Sequence, residues 1–277
     1  MTMKPVAIIA GAGLLPELLA NECRRLGRVY VVVQFQGIDL DWAGGHHTEV
    51  AEFERLDSLF DRLISAGCTA VVFAGAMARP RVDVTRLDAS STRLLTAINS
   101  GDDTTLRAAA DLFESHGILV EAAQDTLPDL LIEAGVLGQI SPTVEDLDDI
   151  ARAAEIASAL GRVDVGQAAV VAQGICLGVE SIQGTDALLR FVMETAVAFR
   201  PNPIAAKGVL FKAPKSIQDR RFDLPAIGPD TVKAAAKAGL AGIALAAGQA
   251  MILDRAATVA AADQTGLFIY GHVAKVS

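Results

Sequence analysis

Through the first half of the chain, short apolar runs that end at glycine alternate with stretches whose apolar residues recur at helical spacing. Val6 to Ala10 is such a run, followed by Gly11. Pro16 to Leu26 carries apolar residues three and four apart and stops at Gly27, which predicts a helix with a glycine end. Val29 to Val33 has strand character, Leu56 to Ala66 is helical before Gly67, and Ala70 to Ala74 is a third strand before Gly75. Thr92 to Ile98 and Thr104 to His116 predict helices, and Ile118 to Ala122 a closing strand. Short apolar strands between amphipathic helices need cover on both faces, so the pattern predicts an open parallel α/β sheet.

Gly135 to Pro142 breaks the rhythm with glycines and a proline, and is expected to link a first domain, 1–134, to a second, 135–277. Val144 to Leu160 then predicts a long helix, whose early Glu145, Asp146, Asp148 and Asp149 suit the positive helix N-terminus. Strands are expected at Ala168 to Ala172, Ile175 to Glu180, Gly208 to Phe211, Ala250 to Leu253 and Leu267 to Tyr270. Helices are expected at Thr185 to Phe199, Thr231 to Ala238 and Arg255 to Thr265. The second half is therefore α/β as well.

Composition narrows the class. The 277 residues suit roughly two domains, and 52% hydrophobic with 21% charged residues excludes disorder as the main theme. The longest uncharged stretch, Ala238 to Leu253, is shorter than the roughly 20 residues that span a bilayer, and glycines interrupt it. The N-terminus lacks a signal-peptide pattern. Cys23, Cys68 and Cys176 are odd in number and widely spaced, which fits no disulfide framework or zinc motif and suggests a reducing cytoplasm. A formal charge of −9 excludes a general nucleic-acid binder. Positive charge is concentrated in one place, at Lys207, Lys212, Lys215, Arg220 and Arg221.

Several loops carry candidate chemistry. Gly11-Ala12-Gly13-Leu14-Leu15-Pro16 follows the first strand, where glycine lets a backbone approach a phosphate. The third glycine of a dinucleotide fingerprint is missing, and no acidic residue clearly ends the second strand, which speaks against NAD. Gly75, after a strand, lies where open sheets bind ligands. Gly101 fits a helix end, while Asp102, Asp103 and Arg107 stand at the start of the next helix, where a ribose or base can be held. His46-His47 lacks further ligands at metal spacing. In the second half, Lys212, Lys215 and Arg221 can neutralise pyrophosphate oxygens, and Glu180, Asp186 and Asp223 are candidate oxygen ligands for a divalent metal.

These segments occur together in one order. Gly11 to Pro16, Gly101-Asp102-Asp103, Asp164-Val165-Gly166-Gln167, Gly184-Thr185-Asp186, Lys212-Ala213-Pro214-Lys215, Gln218 to Gly228 and Ala261-Ala262-Asp263 with Gly266-Leu267-Phe268 resemble the LpxI family of UDP-2,3-diacylglucosamine pyrophosphatases. The likeness runs over essentially the whole chain. It implies a Rossmann-like UDP-binding N-terminal domain, a catalytic C-terminal domain, and hydrolysis of the lipid-linked UDP-sugar to UMP and lipid X, a step of lipid A synthesis. It implies Mg2+ or Mn2+ as cofactor and places the catalytic aspartate on Asp223. Gly11, Gly13, Leu14, Gly75, Asp102, Asp103, Arg107, Gln167 and Gln218 are the expected substrate contacts. A homodimer and a transient contact with the inner membrane surface are further expectations. The chain departs from the family pattern at Gln183, where Glu is expected, and at Ala226, where Thr is common. Leu240 to Ala247 is either a packed core element or an apolar surface for acyl chains. The alternative readings are an NAD(P)-dependent oxidoreductase and a non-catalytic nucleotide-sugar sensor.

Overall fold

The structure is a computed structural model that describes residues 3–77, 81–98, 102–200, 207–215, 219–222 and 224–273, without the side chains of residues 97, 98, 102, 103 and 197. The chain forms two compact units, one of Met1–Pro128 with Asp219–Asp223, the other of Asp129–Gln218 with Leu224–Ser277.

The first unit runs β1 (Val6–Ala10), α1 (Leu15–Arg25), β2 (Tyr30–Phe35), β3 (Thr48–Ala51), α2 (Leu56–Ser65), β4 (Ala70–Ala74), α3 (Ala89–Ile98), α4 (Asp102–Ser115), β5 (Leu119–Val120) and α5 (Ala123–Thr126). Its strands are ordered β3-β2-β1-β4-β5, and every neighbouring pair is parallel. Ala7, Ile9, Val31 and Val33 pack on Leu59, Phe60 and Leu63 of α2 and on Ala110 and Phe113 of α4. Val6 and Ile8 point the other way and are equally buried. On that side α1 lies along β1 and β2, and α5 touches α1 and β4. β3 is a correction to the sequence reading, which made Ala70–Ala74 the third strand when it is the fourth. β3 is an edge strand with only Ala51 buried, so no apolar run marks it.

The second unit runs β6 (Gly135–Leu137), α6 (Val144–Arg162), β7 (Ala168–Ala172), β8 (Ile175–Val179), α7 (Gly184–Thr195), β9 (Val209–Lys212), β10 (Ala226–Ile227), α8 (Pro229–Lys237), β11 (Gly242–Ala246), β12 (Met251–Ile252), α9 (Arg255–Thr265) and β13 (Phe268–His272). The main sheet is ordered β6-β13-β11-β9-β7-β8. β9, β11 and β13 are parallel, whereas β6, β7 and β8 pair antiparallel with their neighbours. Alternate residues divide the interior into two cores. Val170, Leu210, Ile243, Leu245 and Ile269 meet Leu188, Leu189 and Val192 of α7, Val232 and Ala235 of α8 and Ala262 of α9. Val171, Val209, Phe211, Ala244 and Phe268 meet Ile150, Ala153 and Ala157 of α6.

One expectation changes here, and one pair of alternatives is resolved. The stretch read as a linker contains β6, and the left-handed Gly135 and Gly138 turn the backbone at each end of this short edge strand. Leu240 to Ala247 contains β11, a central strand whose Ile243, Ala244 and Leu245 are fully buried, so it is packed core. Its Gly242 lies against the Phe268 ring, where a Cβ would come within 2.4 Å.

The acidic start of α6 divides its labour. Asp146 forms a capping box with Thr143, each side chain bonding the other's backbone N–H. Asp149 is buried, and its two oxygens accept from Gln173 N at 2.8 Å and Gly174 N at 2.7 Å. Gln173 and Gly174 both have positive φ, the conformation of a two-residue hairpin turn, here joining β7 to β8. A carboxylate from the helix thus fixes the hairpin at the edge of the sheet. Asp149→Ala should destabilise the protein by about 2 kcal/mol in urea unfolding, because two backbone donors of the exposed turn lose a buried, charged acceptor.

Candidate active site

In the first unit the order of strands reverses at β1 and β4, the switch point beyond which open α/β sheets bind ligands. The loops that follow these strands are cross-linked through their backbones. Gly11 N donates to Ala74 O at 2.7 Å, Ala12 N to Ala76 O at 2.7 Å, and Ala76 N to Ala12 O at 3.0 Å. A Cβ on Gly11 would lie 2.5 Å from Ala76 O, and one on Gly75 would lie 2.4 Å from Ala12 O. These two glycines therefore give clearance to each other's loop. Gly13 differs, with φ at +97° and nothing within 4 Å of a Cβ position. It precedes exposed Leu14 and the start of α1, which no side chain caps. Open backbone beside a helix N-terminus at a switch point suits a nucleotide phosphate.

α4 of the same unit begins at Asp102; the side chains of Asp102 and Asp103 are outside the described residues, and Arg107 is exposed. The segment 219–222 belongs to this unit. Arg221 donates to Asp219 and, at 2.9 Å, to Glu114 of α4, and its guanidinium lies 5.3 Å from the centre of the Phe222 ring. The hydrogen bond from Arg221 holds the Asp219 carboxyl below the usual carboxylate range, with Arg107 adding to the effect. Phe222 is buried in the core and meets Phe73 edge-on, and Gln124 donates to Arg220 O at 3.1 Å. Asp223 and Gln218, both expected in the site, lie outside the described residues.

The second unit gathers polar groups where β9 ends and β7 begins. Lys212 is two residues beyond core Leu210 and so faces α7. Its side chain is 7% exposed, and that of Glu180, just after β8, is 6% exposed. Lys212 Nζ donates to Thr185 Oγ1 at 2.7 Å and lies 3.9 Å from Glu180 Oε2, to which Thr185 Oγ1 in turn donates at 2.5 Å. Ala226 contributes its carbonyl, 3.5 Å from Nζ, so the family's usual side chain is not needed for this contact. Gln167 meets the same strand end through its backbone, accepting from Ala213 N at 3.0 Å. Its buried Oε1 has no hydrogen-bond partner among the described residues. Gly166 is required here, because a Cβ would fall 2.0 Å from Glu180 O. Lys215 pairs with Asp164 at 2.7 Å, and Asp164 takes the left-handed backbone that aspartate tolerates.

The basic island of the sequence is thus shared out. Lys212 and Lys215 belong to the second unit, and Arg220 and Arg221 to the first. Of the expected metal ligands, Glu180 is engaged by Thr185 and Lys212, and Asp186 is exposed in the first turn of α7. Among the described residues no three His, Cys, Asp or Glu side chains cluster as a metal site. His46 accepts or donates to Tyr30 Oη at 2.6 Å; burial and nearby Arg24 hold its imidazole below the ordinary range. Thr185 and Asp164 escaped the sequence reading of the site. Both stood in quoted motifs, but their partners lie 27 and 51 residues away.

A Rossmann-ordered nucleotide-type sheet and a second α/β unit with a buried lysine at its strand ends define a two-unit α/β protein suited to phosphate chemistry. Residues 5–130 match the LpxI N-terminal domain and residues 133–270 the LpxI C-terminal domain. The chain is 40% identical over 276 residues to the UDP-2,3-diacylglucosamine pyrophosphatase LpxI of Caulobacter vibrioides, covering 97% of this chain and 98% of that one. The chain belongs to the LpxI family. Likeness to solved structures is remote: N5-carboxyaminoimidazole synthase of Aspergillus clavatus is 11% identical, with 68% of this chain and 43% of that one covered at a TM-score of 0.25. The corresponding synthetase of Thermotoga maritima is 13% identical over the same shares at 0.24. Among the described residues no helix is long and apolar enough to cross a membrane.

The three glycines should separate on substitution. Gly11→Ala and Gly75→Ala should each lose about 2 kcal/mol or more in urea unfolding, from backbone overlap. Gly13→Ala should lose only about 1 kcal/mol, for its backbone conformation, yet weaken UDP binding the most when the folded variants are titrated.

Proposed function

We propose that this chain hydrolyses the pyrophosphate of UDP-2,3-diacylglucosamine to UMP and 2,3-diacylglucosamine 1-phosphate. The observation that carries the reading is the buried Lys212 ammonium at a strand end, in a chain 40% identical to a pyrophosphatase of that name. Phosphoryl transfer depends on positioning and on neutralising charge at the non-bridging oxygens. Lys212 supplies a fixed cation for that purpose, and the less buried Lys215 a second one. Gln167, whose Oε1 has no partner among the described residues, is a further substrate contact in this reading. Uridine diphosphate binding falls to the first unit, at Gly13 and Leu14, with Asp102, Asp103 and Arg107 as further contacts. Arg221 holds the segment that leads to Asp223.

Mg2+ or Mn2+ is part of the proposal. Mg2+ is commonly held by one or two carboxylates together with substrate phosphates and water, so a ready-made cage of protein ligands is not required. Exposed Asp186 fits such a set, and Asp223 is the other carboxylate the reading assigns to it. The metal would offset phosphate charge and orient water. Glu180 is less suited, being engaged by Lys212.

Release of UMP from UDP-2,3-diacylglucosamine tests the reading directly. EDTA should abolish release and added Mg2+ should restore it; undiminished turnover in excess EDTA removes the metal from the mechanism.

Asp223→Ala should fold, retain lipid binding and lose kcat by about 1,000-fold, as expected when a group acting only in the transition state is removed. A kcat within a few-fold of the unaltered protein takes Asp223 out of the chemistry.

A further inference from the structure

Lysine ends in a compact charge on a flexible stem, so a buried ammonium is useful only where something fixes its direction. Among the described residues, Lys212 Nζ at the end of β9 meets the first turn of α7 through Thr185, the residue after β8, Glu180, and, at 3.5 Å, the Ala226 carbonyl of β10. An ammonium can only donate, an ionised carboxylate can only accept, and a hydroxyl does both. The directions of the two bonds are therefore fixed. Thr185 Oγ1 accepts from Lys212 at 2.7 Å and donates to Glu180 Oε2 at 2.5 Å. Glu180 is itself held, its N bonded to Ala168 O at 2.8 Å and its carbonyl packed on Gly166.

We propose that Thr185 and Glu180 are positioning residues for Lys212: the threonine hydroxyl sets the direction of the ammonium and relays it to a buried counter-charge. This rests on the reading of Lys212 as the cation that meets the pyrophosphate. It gives Glu180 a role towards the protein's own lysine in place of metal ligation.

The test compares Thr185→Val, Thr185→Ser and Glu180→Gln in UMP release from UDP-2,3-diacylglucosamine, with thermal unfolding of each variant as a check on folding. Valine keeps the shape of threonine without the hydroxyl. Thr185→Val should lower kcat by about 100-fold, the scale of a 1 Å misplacement, and change KM little. Thr185→Ser, which keeps the hydroxyl, should stay within a few-fold of the unaltered protein. Glu180→Gln should lose kcat on the same scale while the Mg2+ concentration giving half-maximal rate stays unchanged. A Thr185→Val variant with unaltered kcat overturns the relay, and so does Thr185→Ser failing as badly as valine. Should Thr185→Val not fold, Glu180→Gln decides: full activity, or a raised Mg2+ requirement, overturns the proposal. Absence of UMP release by the unaltered chain overturns the proposed function itself.

Discussion

Cover on both faces of each main sheet is the constraint from which the positions of the polar groups follow. A strand packed on both sides has no side-chain direction open to water, and its residues read as continuous apolar runs. Val6 to Ala10 and Ala168 to Ala172 are buried throughout. Polar chemistry is then confined to the strand ends and the loops beyond them. In the first unit that place is the pair of glycine loops after β1 and β4, and in the second it is the junction of β7, β8 and β9. Lys212 shows the limit of the rule: it is the last residue of its strand, buried like the core residues before it, and its end meets Thr185 and Glu180.

Electrostatics follow from the same burial. A charge withdrawn from water needs a partner, and Lys212, Lys215 and Arg221 each face a carboxylate. The sequence shows these cations as a cluster with few opposing charges nearby, because Glu180, Asp164 and Glu114 come from distant parts of the chain. Pairing at Lys215 and Arg221 is partly open to water and contributes little to stability. The pair at Lys212 is different in kind, since both of its side chains are buried.

Strands with continuous apolar runs, and helices with strong periodicity and glycine ends, were legible from sequence to within a few residues. β3 was not, because an edge strand with one buried residue has no apolar signal. β11 was not, because Gly-Ile-Ala-Leu-Ala lies inside the uncharged stretch Ala238 to Leu253, where no charged residue marks where a strand begins or ends. For the candidate site, residue types and motifs were visible but partners were not. Gly11 and Gly75 could be read as phosphate-binding glycines, yet their mutual backbone clearance is a contact between loops 64 positions apart (75 minus 11). Glu180 looked like a free carboxylate for a metal because nothing local pointed to Lys212.

Phe222 carries a consequence for the order in which the protein is made. Its ring is part of the first unit's core, against Phe73, although the rest of that unit ends at Pro128. A ribosome adds about 5–20 residues per second, and domains begin to fold as they emerge. The N-terminal sheet can therefore assemble early, but for several seconds it waits with the Phe222 position unfilled while the whole of the second unit's first segment, Asp129–Gln218, is translated. A nascent chain stalled in that interval would display an incomplete apolar core, and chaperone binding is expected to peak there and end once Phe222 emerges.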